Sequence, residues 1–136
     1  MEDQEKEILV SLYLSKGEEV LSDAVLCMEN QRWNSAANRL YYAVFHALNA
    51  LLISDNKPAC SHKGMRLMFG KNYVLTGLAS EKEAFLLSRM ETMRNKADYD
   101  CTFNAKAEVV TELYPQVRSL VEHLKQLVKR ERENRA

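Results

Sequence analysis

Apolar side chains recur at helical spacing along most of this chain. Between residues 5 and 30 they lie at multiples of four positions, at Ile8, Leu12, Val20, Ala24 and Met28. Side chains four residues apart share one face of an α-helix. The pattern predicts a first helix over about 5–30, in which Gly17 is the one weak interior position.

The next apolar pattern, over residues 32–53, has two stripes instead of one. The stripes are Trp33, Ala37, Tyr41, Phe45, Leu48 and Leu52, and Leu40, Val44, Ala47 and Leu51. A helix that is apolar around most of its girth is covered on several sides, so this second helix is predicted to lie at the centre of the fold. One thin bundle would not cover such a girth completely, and we therefore expect a homodimer.

Turn-forming residues end the second helix and open a short third one. Segment 54–61 contains Ser54, Asp55, Asn56 and Pro58 and is predicted to be a loop. Ser61 at its end can cap a helix over about 62–70. A second irregular stretch is expected over 72–77.

Two longer helices are predicted in the second half of the chain. Ser80 and Glu83 have the spacing of a capping box, which predicts a fourth helix over 80–99. A last helix is expected to begin near Phe103 and to continue to about residue 128, with a kink at Pro115. We expect residues 128–136 to be a frayed, solvated tail.

Composition agrees with one helical domain. The chain has 136 residues, of which only four are Gly and two are Pro, and 46% are apolar. This length is enough for one core and too short for two. The sequence therefore predicts an all-α fold: an up-and-down bundle of four to five helices in one domain over 1–136.

The charge balance limits which partners are expected, and the cysteines indicate the cellular compartment. The 19 basic and 19 acidic residues balance, so a general attraction to nucleic acid is missing and any RNA contact must be local. No DNA partner is indicated. The N-terminus is acidic and no apolar run reaches the roughly 18 residues of a membrane span, so no membrane contact is expected. Three widely separated cysteines outside any CxxC pair favour the cytoplasm.

No cofactor or metal is expected from the histidines. His46, His62 and His123 are the three in the chain, and no two of them lie three or four positions apart. Such spacing is what would place two imidazoles on one helix face toward a metal ion.

The second helix carries an unusual polar constellation. Arg39, Tyr42 and His46 stand at i, i+3 and i+7, on one face of a helix otherwise built to be buried. One interpretation is structural, with the polar tips satisfied at the edge of the core or in a subunit contact. The other is a functional cleft.

A second constellation closes the fourth helix. Arg94 and Asp98 are i, i+4 neighbours, with Asn95 and Tyr99 beside them. The structural interpretation is an ordinary ion pair. The functional one is a phosphate site, because a guanidinium offers planar donors that match phosphate oxygens. We expect Arg94 and the helix-two residues Arg39, Tyr42 and His46 to converge on one cleft.

Three segments together resemble the signatures of short stand-alone HEPN proteins. They are NRLYYAVFHALNALL, SHKG in the following loop and helix, and RNKADYD at the end of the fourth helix. The resemblance covers roughly residues 8–128. It implies a bundle of four or five helices, usually dimeric, often encoded beside a minimal nucleotidyltransferase as a toxin and antitoxin pair.

The resemblance also implies an activity, and the chain departs from the sequence motif of that activity. Active members are metal-independent endoribonucleases whose motif is an Arg, a polar residue and, after four to six intervening positions, a His. Arg94 and Asn95 match the beginning, but Tyr99 stands at the end. A phenol with a pKa near ~10 is a poor base at neutral pH.

Two functions therefore stay open. In the first, the protein binds RNA or a nucleotide and cleaves RNA, with Arg94 stabilising the phosphorane and His46 replacing the missing histidine. In the second, it is a non-catalytic dimeric binding module for a nucleotide or a partner protein, with Arg39, Tyr42, Asn95, Asp98 and Tyr99 as ligand-binding residues. The resemblance further suggests Tyr99 as a tyrosine that receives AMP from a partner nucleotidyltransferase.

Overall fold

The computed structural model describes residues 2–135, which form five α-helices, a π-helical turn and no strand. The elements are α1 Asp3–Glu29, α2 Trp33–Ser54, α3 His62–Phe69, the π-helical turn Gly70–Val74, α4 Glu81–Tyr99 and α5 Ala107–Arg135. The predicted all-α bundle is confirmed. Within residues 2–135 no helix combines the length and the apolar character needed to cross a bilayer.

Helix α2 lies at the centre of the bundle. It packs against α1, α5 and α4, and its apolar positions, including Leu40, Val44 and Leu51, are almost fully buried within one chain. The predicted central position is therefore observed. The other helices of the same chain cover most of this surface, although Trp33 and Phe45 are only partly buried, so the apolar girth no longer argues for a second copy and the homodimer stays a prediction.

A glycine allows α1 and α2 to approach closely. Gly17 is buried in α1, and a Cβ at this position would lie 3.1 Å from the carbonyl oxygen of Ala43 in α2. That distance is shorter than a comfortable contact between carbon and oxygen. Gly17, which weakens an isolated helix, is therefore explained by helix packing.

The two predicted helix caps are present. The Ser61 hydroxyl accepts a hydrogen bond from the Gly64 N–H at 2.9 Å. The Ser80 hydroxyl accepts from the Glu83 N–H at 3.1 Å, and the Glu83 carboxylate accepts from the Ser80 N–H at 2.9 Å. These caps satisfy N–H groups that have no partner inside the helix, and they position the two helices that carry the site.

The last helix begins later than the sequence predicts. Asn34 of α2 holds the preceding loop: its side chain accepts from the Ala105 N–H at 2.8 Å and donates to the Phe103 carbonyl at 3.1 Å. These bonds hold residues 103–105 outside the helix, and α5 starts at Ala107 instead of near Phe103.

Helix α5 continues on both sides of Pro115 and ends at Arg135. It thus includes most of the segment 128–136 predicted to fray, whose last residue lies outside the described part. Arg132 in this segment forms an ion pair with Glu7 of α1 at 3.0 Å.

Candidate functional site

The candidate site is centred on a buried arginine near the end of α4. Arg94 is only 6% exposed, and three tyrosine rings surround its guanidinium. The guanidinium carbon lies 5.2 Å from the ring centre of Tyr41, 5.4 Å from that of Tyr42 and 5.9 Å from that of Tyr99. Aromatic faces attract cations, and the attraction grows when water is excluded.

The charge of Arg94 is only partly balanced. Its Nη1 lies 3.5 Å from Oδ2 of Asp98, and that carboxylate also accepts two hydrogen bonds from Asn38 at 2.9 and 3.2 Å. The Nε–H of Arg94 is buried and has no hydrogen-bond partner in the described part of the chain. Burial works against the charge, whereas Tyr42, Tyr41 and Asp98 favour it, and the net pKa of Arg94 is raised.

His62, the first residue of α3, contacts Tyr41, and Arg94 contacts the same tyrosine. Its Nδ1 is 2.5 Å from the Tyr41 hydroxyl, and its ring centre is 4.6 Å from that of Phe45. Burial lowers the pKa of His62, and the positive charge of Arg94 lowers it further. The imidazole is therefore neutral at pH 7 and can accept a proton.

A second ion pair borders this arrangement. Arg66 of α3 forms a close ion pair with Glu91 of α4. Burial, and after it the negative charge of Glu91, raises the pKa of Tyr41 far above its usual value, so Tyr41 stays a neutral phenol. The direction of the hydrogen bond between Tyr41 and His62 depends on the His62 tautomer. In the tautomer whose Nδ1–H donates to the Tyr41 oxygen, Nε2 keeps the lone pair that a base needs.

The helix-two residues predicted for the site surround Tyr42. The guanidinium carbon of Arg39 lies 5.6 Å from the Tyr42 ring centre, and Arg39 donates two hydrogen bonds to the Asn38 side chain. Arg94 also contacts the Tyr42 ring. The structure therefore brings Arg39, Tyr42 and Arg94 together, as expected from the sequence.

His46 lies beside Tyr42 and α1. Its ring centre is 6.1 Å from that of Tyr42 and 6.1 Å from that of Tyr13 in α1. Burial lowers its pKa, and the charges of Lys16 and Arg39 add to the effect. Its Nδ1 is buried with no hydrogen-bond partner among residues 2–135. His46 thus packs against α1. Of these two histidines, His62 is the one whose pKa the charge of Arg94 lowers.

The remaining candidate residues lie at the surface. Asn95 and Asp98 are exposed, although Asp98 contacts Arg94, and Tyr99 is 79% exposed. A phosphate could therefore approach Arg94 from the side of Tyr99. Within residues 2–135 no group of three or more His, Cys, Asp or Glu side chains is arranged to hold a metal ion.

The sequence as a whole matches a known protein family. The model of the HEPN domain matches residues 10–127. The chain belongs to the HEPN family. A UPF0332 protein of Thermotoga maritima is 28% identical over 91% of this chain and 94% of its own length. A Methanocaldococcus jannaschii protein named "Putative toxin" is 32% identical over 82% of this chain and 83% of its own.

The HEPN resemblance and the geometry together point to a residue that the sequence reasoning missed. His62 belongs to the quoted SHKG segment, but nothing in the linear sequence connects it to Arg94. Only the packing of α3 against α4, with Tyr41 between them, brings the two residues to one place. The SHKG motif contains His62, but its proximity to Arg94 could not be predicted because the two residues are far apart in the sequence.

Proposed function

We propose that this HEPN protein is a toxin-like member of a toxin-antitoxin or nucleotidyltransferase-linked system that binds RNA at the Arg94 site and cleaves it without a metal ion. Family membership and the "Putative toxin" relatives support the class of system. The observation that carries the RNA activity is the pairing of a partly balanced, buried Arg94 with a neutral His62 on the two sides of Tyr41. A cytoplasmic location accords with an RNA substrate.

The proposed reaction uses groups whose properties suit it. Nε2 of His62 accepts the proton of a ribose 2′-hydroxyl, and the oxygen attacks the adjacent phosphorus. The guanidinium of Arg94 stabilises the added negative charge of the phosphorane. The bond from phosphorus to the 5′-oxygen then breaks, that oxygen takes a proton from water, and the His62 imidazolium returns its proton to the solvent. The products are a 2′,3′-cyclic phosphate and a 5′-hydroxyl.

The test is cleavage of RNA by the purified protein in excess EDTA. We expect wild-type protein to cut and Arg94→Gln to lose at least 100-fold of the rate, by analogy with removal of a transition-state donor, which costs roughly 10²–10³. Circular dichroism and thermal unfolding control for loss of the fold, because Arg94 is buried. Cleavage that persists in Arg94→Gln would contradict the proposal.

The non-catalytic binding module is the second candidate, and Tyr99 favours it. Tyr99 stands where active members of the family are expected to have the motif histidine. If this function is correct, the protein binds an oligoribonucleotide or a nucleotide through Arg94 and Arg39, and neither wild type nor Arg94→Gln cuts RNA. Binding without cleavage, lost in Arg94→Gln, would favour the module over the nuclease.

A minimal nucleotidyltransferase remains a proposed partner, with Tyr99 as the residue that it modifies. Tyr99 is exposed beside Arg94, so an enzyme could reach its hydroxyl. Transfer of AMP would place a phosphodiester against Arg94 and obstruct the site. Coexpression with a nucleotidyltransferase encoded nearby should add the mass of one AMP to the chain, and Tyr99→Phe should abolish the addition. An unmodified intact mass would contradict the proposal that Tyr99 receives AMP.

A further inference from the structure

A groove on the outer side of α4 combines exposed aromatic and cationic side chains. It lies between α4 and the loop before α5, has a volume of about 340 Å³, and is lined by Phe85, Ser88, Arg89, Thr92, Met93, Lys96 and Phe103. We refer to it as the α4 groove. None of these lining residues is acidic, although the chain as a whole carries no net charge.

The cations of the α4 groove are not neutralised. Neither Arg89 nor Lys96 forms an ion pair with any residue in the described range 2–135. Asp100 acts on Lys96 only at a distance, and its carboxylate already accepts two hydrogen bonds from Thr102. Glu81 lines a neighbouring hollow together with Phe85 and Arg89, but it forms no ion pair with Arg89. Two positive charges therefore face the solvent beside an apolar surface.

The aromatic surface is unusually open. Phe85 is 70% exposed, and a phenylalanine in this position loses stability that burial would give. A flat, exposed ring between cations suits stacking of a nucleobase, with the phosphates on the cations.

Two lines of side chains on this side of α4 lead from the groove toward Tyr99, which contacts Arg94. Lys82, Arg89 and Lys96 follow one another at intervals of seven residues, and so do Phe85, Thr92 and Tyr99. Seven residues are close to two helical turns, so each set forms one line, with steps of about 10 Å. The second line ends at Tyr99, whose ring lies 5.9 Å from the Arg94 guanidinium.

The positive charge of the α4 groove favours RNA over a second copy of the chain as the molecule that binds there. In a two-fold dimer centred on this face, Arg89 would lie near Arg89 of the other copy and the lysines would lie near each other. Like charges at close range oppose that contact. The phosphates of an RNA strand complement the same line.

We propose that the α4 groove binds single-stranded RNA that extends from the Arg94 site, with a base on Phe85 and phosphates on Arg89 and Lys96. The inference rests on the proposed RNA function and adds the class of substrate. A single strand is required because a base stacked on Phe85 must be free of its pairing partner. Duplex RNA would present only its backbone.

The test measures binding of a fluorescent, 2′-O-methylated single strand of about 12 nucleotides, and of the same sequence as a duplex, by anisotropy. The methyl groups prevent cleavage. The variants are Phe85→Ser and the double variant Arg89→Gln/Lys96→Gln. The control is Lys71→Gln/Lys129→Gln, which removes the same charge from exposed positions outside the groove.

We expect Phe85→Ser to weaken binding of the single strand by roughly 5- to 150-fold, the effect of one lost stacking contact. The double variant should reduce the slope of log affinity against log salt by about 1.4, which is about 0.7 for each phosphate contact. The control should bind as wild type does, and the duplex should bind more weakly to all proteins.

Two results would overturn the groove proposal alone, and a third would overturn the proposed RNA function as well. If the groove variants bind like wild type while Arg94→Gln binds weakly, the groove is not an RNA surface and the Arg94 function stands. If the groove variants instead lose a partner protein and keep RNA, the groove is a protein-docking surface. If wild type binds no RNA, both proposals fail.

Discussion

Arg94 is a charged residue held in a largely buried position, and its surroundings explain how the fold accommodates it. A buried charge is costly unless other groups compensate it. The rings of Tyr41 and Tyr42 and the carboxylate of Asp98 provide that compensation from two helices. The guanidinium is therefore held in place before any ligand arrives, which favours binding of a phosphate.

The two histidines near the site allow a matched comparison at residue scale. His62→Gln should lower the rate of RNA cleavage by roughly 10²–10⁴-fold, the usual contribution of a general base. His46→Gln should lower it much less, because His46 packs against α1. The rates are measured on one oligoribonucleotide in EDTA. The opposite order, with His46→Gln the more damaging change, would restore His46 as the base that the sequence predicted.

The titration of His62 gives a second prediction at this scale. Burial and the charge of Arg94 lower its pKa, so its imidazole should titrate below 6.5 in a proton NMR experiment. A lowered histidine pKa means that the unfolded chain binds more protons. The contribution of His62 to stability is therefore complete above pH 6.5 and is lost as the pH falls through the folded pKa. A midpoint above 6.5 would contradict the described environment.

At the scale of elements, the site depends on how closely the helices pack around α2. Helix α4 carries Arg94, α3 carries His62 and α2 carries Tyr41, and the capping residues Ser61 and Ser80 define where the first two helices begin. A small displacement of any one helix would separate Arg94, His62 and Tyr41. Packing between helices is therefore part of the function.

Gly17 and Gly70 provide a test of that packing. A methyl group at Gly17 would lie against the Ala43 carbonyl, whereas one at Gly70 would meet no atom within 4 Å. Gly17→Ala should destabilise the fold by about 1 kcal/mol, since overpacking costs roughly 1–3 kcal/mol and helix propensity returns about 0.5–1. Gly70→Ala should be neutral or stabilising. Urea unfolding measures both, and equal effects would contradict the close approach of α1 and α2.

At the scale of the whole molecule, a homodimer is an expectation that came from the resemblance to short HEPN proteins, and the burial of α2 within one chain adds no support to it. We still predict a dimer, with a mass by light scattering of twice the 15.7 kDa of the chain at micromolar concentration. If the α4 groove binds RNA, the dimer contact lies elsewhere and the groove variants keep this mass. A monomer mass would remove the prediction.

The helices could be predicted from the sequence because their signals are local. Apolar periodicity indicated α1 and α2, and the spacing of Ser80 and Glu83 indicated the start of α4. The start of α5 was missed because it depends on hydrogen bonds from Asn34, far away in the chain. His62 was missed as a partner of Arg94 for the same reason, since their proximity is a product of tertiary packing.

The central claim is that Arg94 and His62 together promote attack of a ribose 2′-hydroxyl on its own phosphate. The most direct measurement is mass spectrometry of the ends produced from a defined single-stranded oligoribonucleotide in excess EDTA. We predict 2′,3′-cyclic phosphate and 5′-hydroxyl ends from wild-type protein, and neither from Arg94→Gln or His62→Gln. Intact substrate with wild-type protein, or products ending in 3′-hydroxyl and 5′-phosphate, would contradict the claim.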